Sequence, residues 1–461
     1  MPDLPSDSNV SGSTPLPIFQ RNPAADLRKM RRVITEDFSW SLAMVPPLSE
    51  LCLQQIVSNF EKNPILDKLV PKHKTKVLDR ISTLLPLKVT ANLISDESYW
   101  KRCCAQRWAV CDISQYRGSW KRLYFERHLQ NLIECFIPDL TDAQSILEVA
   151  ELGKDYVAKL EIQQLLPPVK LEDKKEGEVD EISDSGSEVD LDLPSMDHFD
   201  LNLIANCLHG LEELHLVYGV KDCGVNFQWN LFNFTEQDCV SLAKALQIFK
   251  NLKVFRLNKS KVDDEKVRVL VRRLLNHPSL VHLDLSHNKI SDRGARAVGK
   301  LMSQSQLRIL NLCNNNVRSN GAQAIAHALS KNNSLTSLNL RLNHIVDEGG
   351  QALCQALLHN TSLMTLHLGS NELSEPTASV LSQVLSQNTT IKSISLSCNR
   401  IGLDGGKQLL EGITDNKTLV EFDLRLTEIG QESEIFINQV LQNNQEQARL
   451  EALEKRPPSR V

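Results

Sequence analysis

The sequence has no long apolar run. No stretch approaches the ~18 consecutive apolar residues that a membrane-spanning helix requires. Residues 1–17 are polar and rich in Pro and Ser, without the basic segment and apolar core of a secretory signal. We therefore expect a protein of the cytoplasm, or of a compartment open to it, that does not enter membranes.

Paired cysteines and a large net charge are also missing. The eleven cysteines are odd in number and scattered, which argues against a disulfide framework. Cys103, Cys104 and Cys111 lie close together but lack the C-x-x-C spacing of a zinc site, so no metal or other cofactor is expected. The net charge is only −5, and the basic residues are not interleaved with aromatic ones, so the sequence does not indicate nucleic-acid binding.

The clearest positive signal is an internal repeat. Central copies read Leu-x-x-Leu-x-Leu-x-x-Asn-x-Ile, as in Leu280, Leu283, Leu285, Asn288 and Ile290. An earlier copy at Leu211 is followed by an insertion of about a dozen residues near 221–233, and the outermost copies replace the Asn. Successive copies are 28, 27, 28, 28, 28 and 28 residues apart, beginning at Leu252, Leu280, Leu307, Leu335, Leu363, Ile391 and Leu419.

Each repeat predicts one short strand and one helix. Leu-x-Leu alternation is the period of a strand with one buried face, and the Asn can bond backbone groups where the chain leaves the strand. Glycines recur near the helix starts, which we interpret as allowing close packing on the adjacent strand. One unit cannot bury its apolar face, whereas stacked units can. The pattern resembles the ribonuclease-inhibitor type of leucine-rich repeat, which implies an α/β solenoid shaped as a horseshoe.

Four sequons (at Asn332, Asn360, Asn388 and Asn416) recur once per repeat, so we interpret them as by-products of the repeat rather than glycosylation sites.

The remaining segments complete the predicted organisation. An all-helical module with four of the five Trp residues precedes the solenoid, and a Glu-, Asp- and Ser-rich linker with candidate phosphorylation sites at Ser183, Ser185 and Ser187 joins them. The predicted boundaries are a disordered N-terminus at 1–20, the helical module at 21–168, the disordered linker at 169–199, the solenoid at 200–430, a capping helix at 431–455 and a tail at 456–461.

Polar side chains between and just after the strand leucines should line the concave face of the horseshoe. Open solenoid faces ordinarily bind proteins, so we expect partner docking there. The His and Asp residues in this set raise acid–base catalysis as an alternative, but they belong to different repeats on an open surface. The candidate partner-binding residues are Arg256, His282, Asp284, His287, Asn311, Asn339, Arg341, His367, Asp423 and Arg425.

Segments outside the repeat consensus carry a more specific resemblance. The stretches EDFSWSLAMVPPLSELC, YWKRCCAQRW, GSWKRLYFERHL and YGVKDCGVNFQWNLF resemble the leucine-rich-repeat subunits of the nexin–dynein regulatory complex. The resemblance implies a structural subunit of the axoneme in motile cilia and sperm flagella, with other subunits of that complex as partners and with no catalytic residues. A basic cluster at 28–32 could in addition meet an acidic tubulin surface of the doublet microtubule.

Two alternatives stay open from the sequence. The Ran-type GTPase activators use the same class of repeat, so the chain could be a GTPase-activating protein. Leu85-Pro86, followed by Tyr99-Trp100 and Trp120, faintly resembles an F-box, which would make the chain a substrate receptor of a ubiquitin ligase.

Overall fold

The structure is a computed structural model that describes residues 31–32, 44–138, 140–168 and 198–454. The chain divides into two compact units, Met1–Cys111 and Asp112–Val461. The predicted disordered N-terminus, the tail, and the acidic linker up to residue 197 with its three serines lie outside the described residues. In the described part, no helix combines the length and apolar character needed to cross a membrane.

The first unit is mainly helical. Trp100 is its central side chain: it is fully buried, donates from Nε1 to the Ile94 carbonyl (2.9 Å) and meets the Tyr99 ring edge-on. Cys103 and Cys104 are buried on the same helix. The elements are a two-stranded antiparallel pair, β1 (Arg31–Arg32) with β2 (Met44–Val45), and the helices α1 (Leu48–Ser58), α2 (Pro71–Arg80), α3 (Leu87–Thr90) and α4 (Glu97–Arg107).

The second unit contains one parallel sheet of nine strands that lie side by side in chain order. The strands are β3 (Lys159–Ile162), β4 (Glu213–Leu216), β5 (Val254–Leu257), β6 (His282–Asp284), β7 (Ile309–Asn311), β8 (Ser337–Asn339), β9 (Thr365–His367), β10 (Ser393–Ser395) and β11 (Glu421–Asp423).

A helix follows each strand from β4 to β11. The repeat leucines on each strand and just after it are buried, as in Leu338 and Leu340 at 0% exposure. The leucine-rich-repeat fold predicted from the spacing is confirmed. The helices are α5 (Trp120–Glu134), α6 (Gln144–Gly153), α7 (Asn202–Ala205), α8 (Glu236–Ile248), α9 (Asp264–Leu274), α10 (Asp292–Gln304), α11 (Ser319–Leu329), α12 (Val346–Leu357), α13 (Glu375–Gln387), α14 (Gly402–Ile413) and α15 (Gln431–Glu454), with 3-10 turns at Ser114–Tyr116, Gly224–Asn226 and Trp229–Phe232.

The sheet begins earlier than the sequence predicts. Strand β3 lies inside the range 21–168 assigned to the helical module, yet it pairs in register with β4. Its buried residues Val157, Leu160 and Ile162 have the spacing of a repeat. His198 and Phe199, placed in the linker 169–199, are also buried, and His198 is hydrogen-bonded to Asp238. Both boundaries therefore need correction, because the linker interrupts the repeat array instead of preceding it.

The repeat Asn residues form a ladder of buried amides along one edge of the sheet. The Nδ2 of Asn343 donates to the carbonyls of Leu312 and Leu340 (both 3.0 Å), and its Oδ1 accepts from the Val317 N–H (3.0 Å). Each amide thus ties its own repeat to the preceding one. The ladder consists of Asn288, Asn315, Asn343, Asn371 and Asn399, all at most 8% exposed.

The sequon asparagines form a second ladder along the other edge. Asn388 Nδ2 donates to the carbonyls of Leu357 and Asn360, while Oδ1 accepts from the N–H groups of Thr390 and Ile391. These amides connect the end of each helix to the start of the next strand. This structural role explains why a sequon asparagine recurs in each of these repeats. Asn444 on α15 continues the ladder by donating to the carbonyls of Asn416 and Leu419 (both 2.9 Å). Helix α15 therefore fits the last repeat as another repeat would.

The glycines near the helix starts face a different neighbour from the one the sequence suggests. A Cβ on Gly321 would lie 2.6 Å from Asp292 Oδ1, at the start of the preceding helix, and not against a strand. The Gly321 N–H donates to that carboxylate oxygen (2.9 Å). Gly294 has the same relation to Asp264. A side chain at either position would displace this bond between neighbouring repeats.

The first edge of the sheet is sealed by carboxylates of α5. At the start of β4, the N–H groups of Glu212 and Glu213 donate to the carbonyl of Ala158, the residue just before β3. Among the described residues, no earlier strand pairs with β3, and the N–H groups of Ala158 and Lys159 donate instead to Glu126 Oε1 (2.9 and 2.8 Å). Glu134 similarly accepts from the Gln163 N–H (2.7 Å).

Replacing Asn343 by Ala should destabilise the solenoid by about 2–4 kcal/mol, because buried carbonyl and N–H groups lose their partner. Chemical denaturation of the purified chain measures this change. Asn316→Ala is the matched control, since that side chain is exposed in the corresponding loop of the preceding repeat. Equal stability of the two variants would contradict the role of the ladder.

Val346, at the start of α12, has a left-handed backbone (φ +49°), which is unfavourable for a β-branched residue. Gly402 occupies the same position two repeats later with φ +73°. We expect Val346→Gly to be more stable than Val346→Ala by about 1 kcal/mol, the reverse of the usual helix order. Thermal unfolding of both variants measures the difference, and a more stable Ala variant would show that position 346 is not strained.

Candidate functional site on the open face

The open face is the side of the sheet opposite the helices, where alternate strand residues are only partly buried. Strand register places one residue from each strand in a line across it. We call this line the central row: Glu161, His215, Arg256, Asp284, Asn311, Asn339, His367, Ser395 and Asp423. At about 4.8 Å between strands, nine strands extend roughly 38 Å.

The structure brings most of the sequence-predicted residues together. Six of the ten belong to the central row, and His282 lies two residues before Asp284 on the same strand face. Arg341 and Arg425 each follow a central-row residue by two positions and are exposed. His287 lies at the edge of the sheet, exposed, with its Nδ1 2.8 Å from Asn314 Nδ2.

The central-row side chains also shape the ends of their strands. Asp284, Asn311 and Asn339 each accept a hydrogen bond from the backbone N–H two residues later, at 2.9–3.0 Å. Such turns require a short side chain with an oxygen at this position, which explains why Asp and Asn occupy it. The row therefore has both a structural role and an exposed polar surface.

The C-terminal end of the row is neutralised internally. Arg425 donates from Nε and Nη2 to the two carboxylate oxygens of Asp423 (2.7 and 2.9 Å), and Ser395 Oγ is 3.2 Å from Asp423 Oδ2. These bonds, chiefly that from Arg425, hold the pKa of Asp423 far below its usual value. The carboxylate remains ionised and paired.

At the N-terminal end of the row, an arginine, a histidine and a glutamate lie in a connected set. Arg256 Nη1 lies 3.0 Å from His215 Nε2, and His215 Nδ1 lies 3.9 Å from Glu161 Oε1. The contact with His215 keeps the pKa of Glu161 well below its usual value. Burial, followed by the Arg256 charge, lowers the pKa of His282, so its imidazole is neutral at pH 7.

The middle of the row is the part whose polar groups are least engaged within the chain. The side chains of Arg341 and His367 form no hydrogen bond with any other described residue. Arg341 extends towards Gly369, its Cγ lying 3.5 Å from the position that a Cβ there would take. A guanidinium and an imidazole therefore remain available to another molecule.

Sequence reasoning missed three members of the row. Glu161 was missed because β3 was assigned to the helical module, although the spacing of Val157, Leu160 and Ile162 was a detectable signal. His215 and Ser395 lie between repeat residues already recognised in the sequence, so extending the pattern to β4 and β10 would have found them.

The carboxylates of the row are bonded to amide, hydroxyl and guanidinium groups. Asp284 Oδ2 accepts from Asn311 Nδ2 (3.1 Å), and Asp423 accepts from Arg425. In the described ranges, no three His, Cys, Asp or Glu side chains are grouped closely enough to hold a metal ion. What the face offers is a long line of hydrogen-bonding and charged groups.

The comparisons with known proteins begin with a family model. The model described as a leucine-rich repeat matches residues 276–299, 305–326, 331–354, 359–380 and 387–410. These segments contain the central repeats, from β6 through most of α14.

Several curated relatives share the name dynein regulatory complex subunit 5. The chain is 56% identical to the protein of Macaca fascicularis over 73% of this chain and 66% of that protein, and 58% identical to the protein of Homo sapiens over 62% and 58%, respectively. The protein of Chlamydomonas reinhardtii is 32% identical over 49% of this chain and 50% of its own length. The matches thus span 58–66% of the mammalian relatives' length.

Solved structures are more distant. Actin-binding site 2 of leiomodin-1 is 19% identical with a TM-score of 0.28, over 30% of this chain and 79% of that one. The C-terminal domain of tropomodulin from Caenorhabditis elegans is 19% identical with a TM-score of 0.25, over 48% and 100%. No inference about function depends on these two structures.

The repeat segments and the similarity of sequence agree with the stacked architecture of the second unit. The second unit has a leucine-rich-repeat fold, and the chain is similar in sequence to the proteins named dynein regulatory complex subunit 5.

Proposed function

We propose that the chain is a non-catalytic structural subunit of the nexin–dynein regulatory complex in the axoneme of motile cilia and sperm flagella. In this role the open face docks other subunits of the complex, and the assembly supports the regulation of dynein-driven sliding between doublet microtubules. The first, helical unit helps to fix the chain in the assembly.

The name shared by the mammalian and algal relatives is the observation that carries the proposal. The segments outside the repeat consensus support it, since generic leucine-rich-repeat proteins would not share them. Nothing in these names favours the GTPase-activating or ubiquitin-ligase alternatives.

The geometry of the open face supports docking of a protein in particular. A surface roughly 38 Å long matches the dimensions of a protein interface and not those of a small-molecule pocket. Exposed arginines are favoured contact residues, because a guanidinium can form several hydrogen bonds with carboxylates and carbonyls. Arg341 and the neighbouring His367 provide such a group at the middle of the face.

Reversing the charge at Arg341 and Arg425 (Arg341→Glu and Arg425→Glu) should weaken capture of other complex subunits by about tenfold or more, while the midpoint of thermal unfolding changes little. We expect Arg341→Glu to contribute more, because Arg425 is already paired with Asp423. Binding is measured by quantitative co-purification from ciliated cells that express tagged variants.

The matched control is the double variant Arg293→Glu and Arg296→Glu, which makes the same charge change at exposed positions of α10 on the helix side. It should bind as the wild type does. If the control loses binding equally, or the open-face variant retains every contact, docking does not use this face.

Cross-linking of isolated axonemes provides an independent test. A photo-reactive amino acid at position 339 or 367 should cross-link to subunits of the dynein regulatory complex, whereas one at position 300 on α10 should not. Cross-links to a small GTPase, together with faster GTP hydrolysis when the purified chain is added, would contradict the purely structural role. They would support a GTPase-activating protein instead.

A further inference from the structure

The edge of the sheet beside β5 and β6 is basic. Lys261 and Lys289 occupy equivalent repeat positions, one residue after the ladder position, and Lys259 lies two residues before Lys261. Lys259 and Lys289 are exposed, and no ion pair among the described residues includes either of them. We call Lys259, Lys261 and Lys289 the basic rim.

The insertion after β4 forms an apolar wall next to this rim. Phe232 packs against Gly219, where an added Cβ would lie only 2.7 Å from its ring, and it also meets the Phe227 ring at 5.5 Å. The ammonium group of Lys261 lies 5.9 Å from the centre of the Phe232 ring. Phe227 is 47% exposed, so the wall presents apolar surface to solvent beside the cationic groups.

Lys259 of the rim and Phe232 of the wall line a cavity of about 500 Å³. The rest of its lining combines the apolar side chains of Val217 and Val220 with polar ones that include Glu161, His215 and Lys221. Two acidic groups near it are already engaged: Glu161 with Lys159 at 2.9 Å, and Glu134 with Lys221 at 3.1 Å. Those carboxylates therefore do little to neutralise the rim.

The same edge differs in later repeats. The positions equivalent to Lys261 and Lys289 carry Asn316, His344, Glu372, Arg400 and Glu428, and His344 is paired with Glu372 at 2.9 Å. The concentration of lysine is therefore a property of two neighbouring repeats and not of the repeat pattern. Burial and, after it, the nearby Lys289 charge lower the pKa of Lys261.

We propose that the basic rim and the aromatic wall form a docking site for an acidic, extended segment of a partner protein. Carboxylates of the segment neutralise Lys259, Lys261 and Lys289, and an apolar side chain between them enters the cavity against Phe232. The site is separate from the middle of the open face, so it adds a second contact to the docking proposed above and does not depend on the identity of the complex.

A peptide fits these observations better than a nucleic acid. The rim offers point charges without the arginine forks that grip phosphates in pairs, and its cavity is lined by aliphatic as well as aromatic carbon. Aliphatic lining suits an apolar amino-acid side chain. A base would require an aromatic platform repeated along a groove.

The test uses the full chain and a fluorescent twelve-residue peptide of glutamates with one central leucine. We expect saturable binding by fluorescence anisotropy that weakens about tenfold between low and physiological salt, because the contact is mainly between charges. The same peptide with glutamine in place of glutamate should not bind. Equal binding of the two peptides would overturn the proposal.

Three variants locate the site. The triple change Lys259→Ala, Lys261→Ala and Lys289→Ala should weaken binding at least tenfold, whereas the matched set Lys244→Ala, Lys300→Ala and Lys417→Ala at exposed positions elsewhere should not. Replacing the rim lysines by arginine should retain binding, which separates a loss of charge from a loss of fold. If the matched set weakens binding as much as the rim set, the interaction is non-specific.

Two competitors decide what the rim binds. Single-stranded DNA that displaces the peptide at equal concentration of negative charge would overturn the peptide assignment.

The acidic segment 176–192 of this chain is the other candidate occupant. In a variant of the chain, the Asp and Glu residues of this segment are replaced by Asn and Gln. If the peptide binds only to that variant, the rim binds the chain's own segment and not a partner. Neither result would affect the test at Arg341.

Discussion

The architecture depends on a requirement for buried amides to be satisfied between repeats. Each ladder Asn is buried and donates from Nδ2 to one carbonyl of its own repeat and one of the preceding repeat. An unpaired polar group in such a place costs about as much as a lost core contact. The spacing of 27 or 28 residues is therefore fixed by hydrogen bonding as well as by the leucine core. Residues outside this network, such as Arg341 on the open face, are not held by this requirement.

Much of this fold could be predicted from local sequence. The leucine spacing gives the strands, and the side chains between the leucines give most of the central row, because a strand alternates faces at every residue. The capping helix α15 followed from the end of the repeats. What escaped prediction depends on distant residues: β3 is separated from β4 by the acidic segment, so its short apolar pattern lost the regular spacing that identified the others.

Other features could not be read from any local pattern. Glu126 seals β3 only because α5 lies across the strand edge, and a single Glu in a helix carries no signal of that contact. The pairing of Arg425 with Asp423 likewise appears only in three dimensions, although both residues were recognised as candidates. The sequence identifies which side chains face the solvent. The structure identifies which of these side chains already form hydrogen bonds or ion pairs with one another. For this reason the middle of the central row, and not its ends, is the part whose polar groups remain available to a partner.

The seal at the first strand also bears on how the protein behaves outside an assembly. An uncovered row of N–H groups can pair with a strand from another molecule, and such pairing spreads into aggregates. Here the cover comes from two carboxylates on a helix that lies before the acidic segment, while the rest of the sheet lies mostly after it. A cut in the acidic segment would leave β3 and its cover held to the remaining strands by noncovalent contacts alone, and loss of β3 would then expose the edge of β4. The covalent connection through that segment therefore keeps the cover of the sheet edge attached to the sheet that it covers.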